Sequence, residues 1–321
     1  MKNGKIGVGI IGLHPTRGWA MMAHVPALRA SADFEIVALT NSDPAMAEEA
    51  ARLFGVPKAF QRHQDLLACP EVDLVVVTVK VPYHFELVSA AILAGKSVYC
   101  EWPLANGLRE TVELERLARE HKVRTVAGLQ SRASAELNHM RDLIRGGYVG
   151  EVLSASMVGS GILGGAVVPS GFAYTLDPAN GAGIFNVAFA HAVDALSYAL
   201  DAPFSKVAAT LENRRKTAQV IETGAVIPMT TPDQIAVSGQ LASGPVVSAH
   251  FRGGLSRGTN FRLEVNGSRG DLIMVSSLGY PGIGVTTLQG GQDDDTALHD
   301  IALPQDDGNA HLGMGTNVAN N

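Results

Sequence analysis

Cysteine is scarce in this chain, with two in 321 residues, Cys69 and Cys100. Neither stands in a C-x-x-C or Cys/His spacing, which excludes a disulfide framework and a zinc site from the expectations. A long apolar run is missing as well. No stretch approaches the roughly 18 apolar residues that a membrane-spanning helix requires. Basic charge is not in excess: 25 Lys and Arg face 31 Asp and Glu, for a net charge of −6. The one basic cluster, Arg214-Arg215-Lys216, reads as a solvated loop or strand edge. A phosphate-tracking nucleic-acid surface is therefore not expected. The apolar run Ile6 to Ile11 is too short for a leader and lacks a small-residue cleavage site, so it reads as a first strand. The resulting expectation is a soluble, cytoplasmic protein with no membrane, metal or nucleic-acid partner.

What remains is a balanced globular composition, 46% hydrophobic and 17% charged, in a chain long enough for two domains. Over residues 1–125, strand-like and helix-like segments alternate, as in a parallel sheet with crossover helices. Strands are expected at Ile6–Ile11, Phe34–Leu39, Asp73–Val79, Val98–Glu101 and Val123–Leu129. Helices are expected from about Trp19, from Asp43-Pro44, from Pro82 and over Leu108–His121. Asp43 caps its helix and Pro44 fits the first turn. The continuous apolar run Asp73 to Val79 suits a strand buried on both faces.

Beyond Gln130 the pattern changes. Helices are expected at Glu136–Arg145 and Ile184–Leu200. Closely spaced strands recur at 151–158, 206–211, 234–241, 246–252, 262–266 and 271–275, which implies a mainly antiparallel sheet. Residues 126–288 are thus read as an α+β domain for substrate and oligomerisation. Residues 289–321 are read as a polar Gly/Asp/Asn-rich tail that is poorly ordered. A homodimer or homotetramer is expected on the exposed sheet face, motivated by the apolar alternation of Val246 to Phe251.

Gly7-Val8-Gly9-Ile10-Ile11-Gly12 fits G-x-G-x-x-G as a string, but it lies in the strand, whereas a phosphate loop must follow one. The better candidate turn is Gly12-Leu13-His14-Pro15-Thr16-Arg17-Gly18, ahead of the helix near Trp19. Gly12 permits a tight turn, Gly18 lets a pyrophosphate approach the backbone, and Arg17 can contact phosphate. These features define an N-terminal doubly wound parallel sheet of the Rossmann type. An acid at the end of the second strand normally accepts the ribose hydroxyls. Here Thr40-Asn41-Ser42 stands there, so NAD and NADP both remain open as cofactors.

The segment Gly95 to Ala105, with Glu101-Trp102-Pro103 at its centre, resembles the Gfo/Idh/MocA family of sugar and inositol dehydrogenases. So do His24 in Ala23-His24-Val25-Pro26, His84 in Pro82-Tyr83-His84-Phe85, and Gly181-Ala182-Gly183 ahead of His191 and Asp194. Gly12-Leu13-His14 with Gly18-Trp19-Ala20, Glu101-Trp102 and Leu129-Gln130-Ser131-Arg132 are similar to the branch that includes the yeast galactose-pathway repressor. The resemblance implies that Glu-Lys-Pro is the usual tripeptide and that its lysine works beside the nicotinamide. Trp102 occupies that lysine position, and Val187 occupies the aspartate position four residues before the retained His191. The family also continues past Thr316–Ala319 into a closing helix, which leaves a naturally short chain and a truncated reading frame both open.

The resemblance implies a cofactor site of Gly12, Leu13, Thr16, Arg17, Gly18, Trp19, Asn41, Ser42, His84, Glu101 and Trp102. It implies His191 as the catalytic base. Trp102, Gln130, Arg132, Asn186, His191 and Asp194 would bind substrate, with Asn180 as a further hydroxyl contact. One expectation is an NAD(P)-dependent oxidoreductase moving hydride between nicotinamide and a sugar or polyol. The other is a non-catalytic dinucleotide sensor acting through protein contacts, motivated by Trp102 and Val187.

Overall fold

The computed structural model describes residues 4–303 and 310–321. Met1–Asn3 and residues 304–309 of the expected tail lie outside the described residues. The chain divides into two units, Met1–Leu129 with Gly308–Asn321, and Gln130–Asp307.

The first unit holds strands β1 (Ile6–Ile11), β2 (Phe34–Thr40), β3 (Lys58–Phe60), β4 (Leu74–Val77), β5 (Ser97–Glu101) and β6 (Thr125–Gly128). All pair in parallel, in the order β3-β2-β1-β4-β5-β6. The order reverses between β1 and β4, which opens a crevice at the carboxyl ends of those strands. Its helices are α1 (Val25–Ala30), which continues a π-helical turn at Ala20–His24, then α2 (Pro44–Leu53), α3 (His63–Leu67), α4 (His84–Leu93) and α5 (Leu108–His121). Asp43 caps α2 by accepting from the Ala45 and Met46 N–H groups. In β4 the side chains divide between the two faces of the sheet. Val75 and Val77 pack with Ile92, Val98 and Leu114, while Val76 packs with Val8, Ile10, Leu39 and Tyr99. Burial on both faces is why β4 reads as an unbroken apolar run.

Gly7 and Gly9 serve packing within β1. A Cβ at Gly7 would overlap the Glu71 carbonyl oxygen, and one at Gly9 would stand 2.8 Å from Leu66 Cδ2. Gly7→Ala is expected to destabilise the fold by about 1–3 kcal/mol through overpacking. Unchanged denaturant midpoints would contradict this close approach.

The second unit holds α6 (Ala135–Arg145) and α7 (Ala190–Leu200), the latter preceded by a π-helical turn at Phe185–Phe189. Its strands are β7 (Val152–Gly161), β8 (Val167–Val168), β9 (Phe204–Glu212), β10 (Thr217–Val220), β11 (Val226–Pro228), β12 (Gln234–Leu241), β13 (Val246–Gly253), β14 (Phe261–Gly267), β15 (Gly270–Ser276), β16 (Thr286–Gln292) and β17 (His299–Asp300). Eight form one sheet, β17-β16-β15-β14-β7-β13-β12-β9, antiparallel except where β13 pairs with β7. The other three form a small sheet, β11-β10-β8. Leu137, Met140, Leu196 and Ala199 from the helices share one core with Met157, Val247, Phe251, Phe261 and Leu263 from the large sheet. The Arg214–Lys216 triplet is an exposed loop ahead of β10.

Two expectations are corrected here. The segment after residue 288 is not a structureless tail across its described part. Residues 289–292 complete β16, where Leu288 is buried and accepts from the Ile301 N–H. The terminal segment forms α8 (Thr316–Ala319), and Asn321 Nδ2 donates to the Tyr99 hydroxyl at 2.9 Å. The alternation of β13 also points the other way. Val247, Ala249 and Phe251 are buried in the core, and the exposed face carries Val246, Ser248 and His250. On β13 that face is mixed, not apolar. Among the described residues, no helix is long and apolar enough to cross a membrane. No group of three or more His, Cys, Asp or Glu side chains converges as a metal site among them.

Candidate functional site

In the first unit the site begins where β1 ends. Gly12 has φ +99°, and a Cβ there would stand 2.7 Å from Val79 Cγ1. Its N–H donates to Thr40 O at 3.0 Å, and Thr78 Oγ1 donates to Ile11 O at 3.0 Å, which fixes the turn against β2 and β4. Leu13 is fully buried in the core and anchors the turn, so only its backbone is available to a ligand. His14 Nδ1 accepts from the Thr16 N–H at 3.2 Å. Burial and then the nearby Arg17 cation push the His14 pKa below its ordinary value. Thr16, Arg17 and Gly18 are exposed. Gly18 has φ +92° with open space where a Cβ would project. Trp19 follows, and its indole Nε1 is buried with no hydrogen-bond partner among the described residues.

These features fit a pyrophosphate. The turn contains no acid, carries one exposed guanidinium, and leads into a helical run whose first N–H groups carry partial positive charge. The open, left-handed Gly18 leaves room for close backbone approach.

At the end of β2, the Asn41 carboxamide is engaged at both ends. Nδ2 donates to Leu13 O at 3.0 Å, and Oδ1 accepts from the Asp43 N–H at 3.0 Å. Asn41 therefore ties the Gly12–Gly18 turn to the start of α2. Ser42 beside it is exposed. His84 is 1% exposed, with Nδ1 2.7 Å from Pro103 O and Nε2 3.0 Å from Val79 O. It bridges the segment after β4 to the segment after β5 as a strut. Burial holds its pKa below the ordinary value.

Glu101, at the end of β5, meets His24 Nε2 through Oε1 at 2.6 Å. A Cβ at residue 128 would stand 2.7 Å from Glu101 Oε2, so Gly128 makes room for the carboxylate. His24 also sets its ring edge-on to Tyr99, with centroids 5.1 Å apart. Sequence reasoning used His24 for the family resemblance and missed this pairing. Trp102 is half-buried beside Glu101, ahead of a cis peptide bond to Pro103.

In the second unit, Gln130–Ala133 form a 3-10 turn. Gln130 is 3% exposed, and its Oε1 has no hydrogen-bond partner among the described residues. Ser131 Oγ donates to Pro281 O at 2.6 Å. Arg132 clamps Asp194 through Nε at 2.9 Å and NH2 at 2.5 Å. Each of these two expected hydroxyl binders therefore has the other as its partner. The Tyr198 ring lies beneath both Arg132 and Arg141, at 5.4 and 4.1 Å from the guanidinium carbons. Asn180 Nδ2 donates to Tyr174 O at 2.7 Å, and Asn186 is half-buried in the π-helical turn.

His191 is 2% exposed and stacks flat on Tyr280, with centroids 4.3 Å apart and planes 12° from parallel. Burial pushes its pKa down to about 3. Val187, one turn earlier, packs against the core. Tyr280 is a site residue that sequence reasoning missed. Its signal was a lone aromatic in the turn Gly279-Tyr280-Pro281 after β15.

The six-strand order with the glycine turn at the switch point is a Rossmann-like fold, joined in sequence to a mainly antiparallel second sheet. Comparison with known families makes this specific. Residues 6–129 match the Gfo/Idh/MocA family, described as an oxidoreductase family with an NAD-binding Rossmann fold, and residues 136–276 match the Gal80p C-terminal domain. The chain thus combines a Gfo/Idh/MocA-family domain with a Gal80-type C-terminal domain.

The galactose/lactose metabolism regulatory protein GAL80 of Saccharomyces cerevisiae is 28% identical over 294 residues, covering 86% of this chain and 68% of that protein. The dehydrogenase aclE of Aspergillus oryzae is 37% identical over 169 residues, covering 52% of this chain and 46% of that one. The crystal structure of a super-repressor mutant of Gal80p from Saccharomyces cerevisiae superposes with a TM-score of 0.88 at 25% identity. That match covers 98% of this chain and 84% of the other.

These findings overturn the expected partner. A sugar or polyol was expected, but GAL80, matched across 86% of the chain, is named as a regulatory protein, and neither relative is named for a polyol substrate across that span.

Proposed function

We propose that this chain is a non-catalytic sensor that binds NAD or NADP in the first unit and acts through contacts with another protein. The observation that carries this reading is the state of His191. A general base works best with a pKa near the working pH. An imidazole buried against Tyr280 with a pKa near 3 is a poor acceptor for an alcohol proton. The two other positions that the family resemblance nominates supply neither a cation nor a carboxylate, being Trp102 and Val187. Asp194, the remaining acid, is neutralised by Arg132.

In this reading the Gly12–Gly18 turn holds the pyrophosphate, Asn41 and Ser42 border the ribose, and Trp102 offers a flat face to the nicotinamide. Glu101 orients that corner through His24. With no carboxylate at Asn41 or Ser42, the 2′-phosphate of NADP is tolerated. A cytoplasmic location belongs to the same proposal.

Asn41→Asp is expected to shift the NAD/NADP affinity ratio toward NAD, because a carboxylate repels the 2′-phosphate. It also removes the amide donor to Leu13 O, so binding of both cofactors should weaken. An unchanged ratio in calorimetry would remove Asn41 from the ribose site.

A second reading, a working dehydrogenase, is favoured by one observation, the 37% identity to a named dehydrogenase over 169 residues. Bound nicotinamide would then supply the hydride acceptor. The two readings part in one experiment. NAD and NADP are titrated calorimetrically, and the nicotinamide absorbance band is then followed with a panel of primary and secondary alcohols. Binding without absorbance change supports the sensor, and sustained turnover with any alcohol overturns it.

A further inference from the structure

Three reactive side chains meet in the first unit, away from the dinucleotide turn. Lys58 is the first residue of β3, and Cys69 and Glu71 lie in the loop between α3 and β4. In a parallel sheet, strand starts lie at the end opposite to the turn that follows β1. Lys58 Nζ stands 3.5 Å from Cys69 Sγ, and the thiol donates to Glu71 Oε2 at 3.1 Å. Lys58 and Glu71 close the triangle as an ion pair. Cys69 is 5% exposed, whereas the Lys58 and Glu71 side chains are 37% and 29% exposed, so the cluster opens to solvent on its charged side.

The loop is held from behind. Lys96 Nζ donates to the Cys69 and Val72 carbonyls at 3.2 and 2.8 Å. Asp73 Oδ2 accepts from the Gly7 N–H at 2.9 Å. The sulfur and the amine are thereby kept within reach of each other.

The other cysteine provides the contrast. Cys100 is fully buried, with its sulfur 3.4 Å from His84 Nδ1 and among backbone carbonyls. Burial raises the Cys100 pKa well above the ordinary thiol value, which makes it inert. No cation of the Lys58 kind is described beside it.

We propose that Lys58, Cys69 and Glu71 form a peroxide-responsive covalent switch, in which oxidation of the Cys69 thiol ends in a sulfur–nitrogen bond to Lys58. In the first step the Cys69 thiol releases its proton to solvent, the Lys58 ammonium stabilises the resulting thiolate, and the thiolate attacks one oxygen of hydrogen peroxide. The S–O bond forms, the O–O bond breaks, and the departing hydroxide takes a proton from the Lys58 ammonium to become water. Cys69 is now a sulfenic acid and Lys58 a neutral amine. In the second step the amine attacks the sulfenic sulfur. The S–N bond forms, the S–O bond breaks, and hydroxide leaves as water with an amine proton. One thiol, one ammonium and one peroxide give one sulfenamide, two waters and one proton released to solvent, with sulfur oxidised by two electrons. A sulfenic acid captured by a neighbouring nitrogen is reversible by thiols. The link ties β3 to the loop before β4.

The test uses the intact chain. It is treated with hydrogen peroxide, digested and analysed by mass spectrometry, with and without dithiothreitol. The expected product joins the Lys58 and Cys69 peptides, is two hydrogens lighter than their sum, resists trypsin after Lys58, and disappears on reduction. Cys100 stays unmodified. Lys58→Arg keeps the cation but removes the nucleophilic amine, so the link is lost and dimedone traps the Cys69 sulfenic acid instead. Three results would overturn the proposal: Cys69 remaining a thiol, Cys69 passing to sulfinic acid while Lys58 stays free, or a link that retains an oxygen. The wild-type arm decides this without any variant having to fold.

Discussion

Gly18→Val is expected to reduce NAD and NADP affinity by about 100-fold or more, equivalent to about 3 kcal/mol. Two effects add. Gly18 sits at φ +92°, where a β-branched residue is strained by about 1–3 kcal/mol. The valine methyls would also project into the open space that pyrophosphate is expected to enter. The neighbouring Gly12 provides the control. A Cβ there meets Val79 at 2.7 Å, so Gly12→Ala should lower stability before it alters binding. Calorimetry and thermal melting of both variants separate the two effects. Wild-type affinity in folded Gly18→Val would remove the dinucleotide from this turn.

Acid is expected to destabilise the fold through His191. Its folded pKa near 3 lies below the ordinary unfolded value of 6.5. Between these two values the unfolded chain binds a proton that the folded chain does not, so stability falls as pH falls. The slope approaches about 1.4 kcal/mol per pH unit, or about 2.5 kcal/mol lost between pH 6.5 and 4.5. His84, also depressed by burial, adds to the same trend. His191→Asn cannot titrate, so the wild-type slope minus the variant slope isolates this residue. Denaturant titrations from pH 7 to 4.5 measure it, and equal slopes would contradict a buried neutral imidazole.

Elements with a full period of pattern were legible in the sequence. Leu108–His121 and Gln234–Leu241 coincide with α5 and β12 residue for residue. The short strand Lys58–Phe60 was not read, because three residues with a lysine at the start carry no alternation. In the β10 segment, Ala218 and Val220 do alternate with exposed neighbours, but four residues of that pattern also suit a loop. The strand at Thr286–Gln292 was hidden by Gly290 and Gly291, which pack closely against β15 and the following chain.

In the site, the Gly12–Gly18 turn was legible because glycine conformation is a local property. The pairings were not. Glu101 and His24 are 77 positions apart, and Arg132 and Asp194 are 62 apart. Sequence offered Arg132 and Asp194 as two independent ligand contacts, and only the fold shows that each neutralises the other. His191 was nominated as a base from its position, but its burial against Tyr280 is a tertiary property with no local signal.

The protonation of His191 tests the sensor reading most directly. A histidine-labelled sample followed by nuclear magnetic resonance from pH 8 downward, with assignment through His191→Asn, reports its titration in the folded chain. The expected result is a neutral ring at every pH at which the protein remains folded, consistent with a pKa near 3. A ring that titrates near 6.5 would place a working base in the second unit and overturn the non-catalytic account.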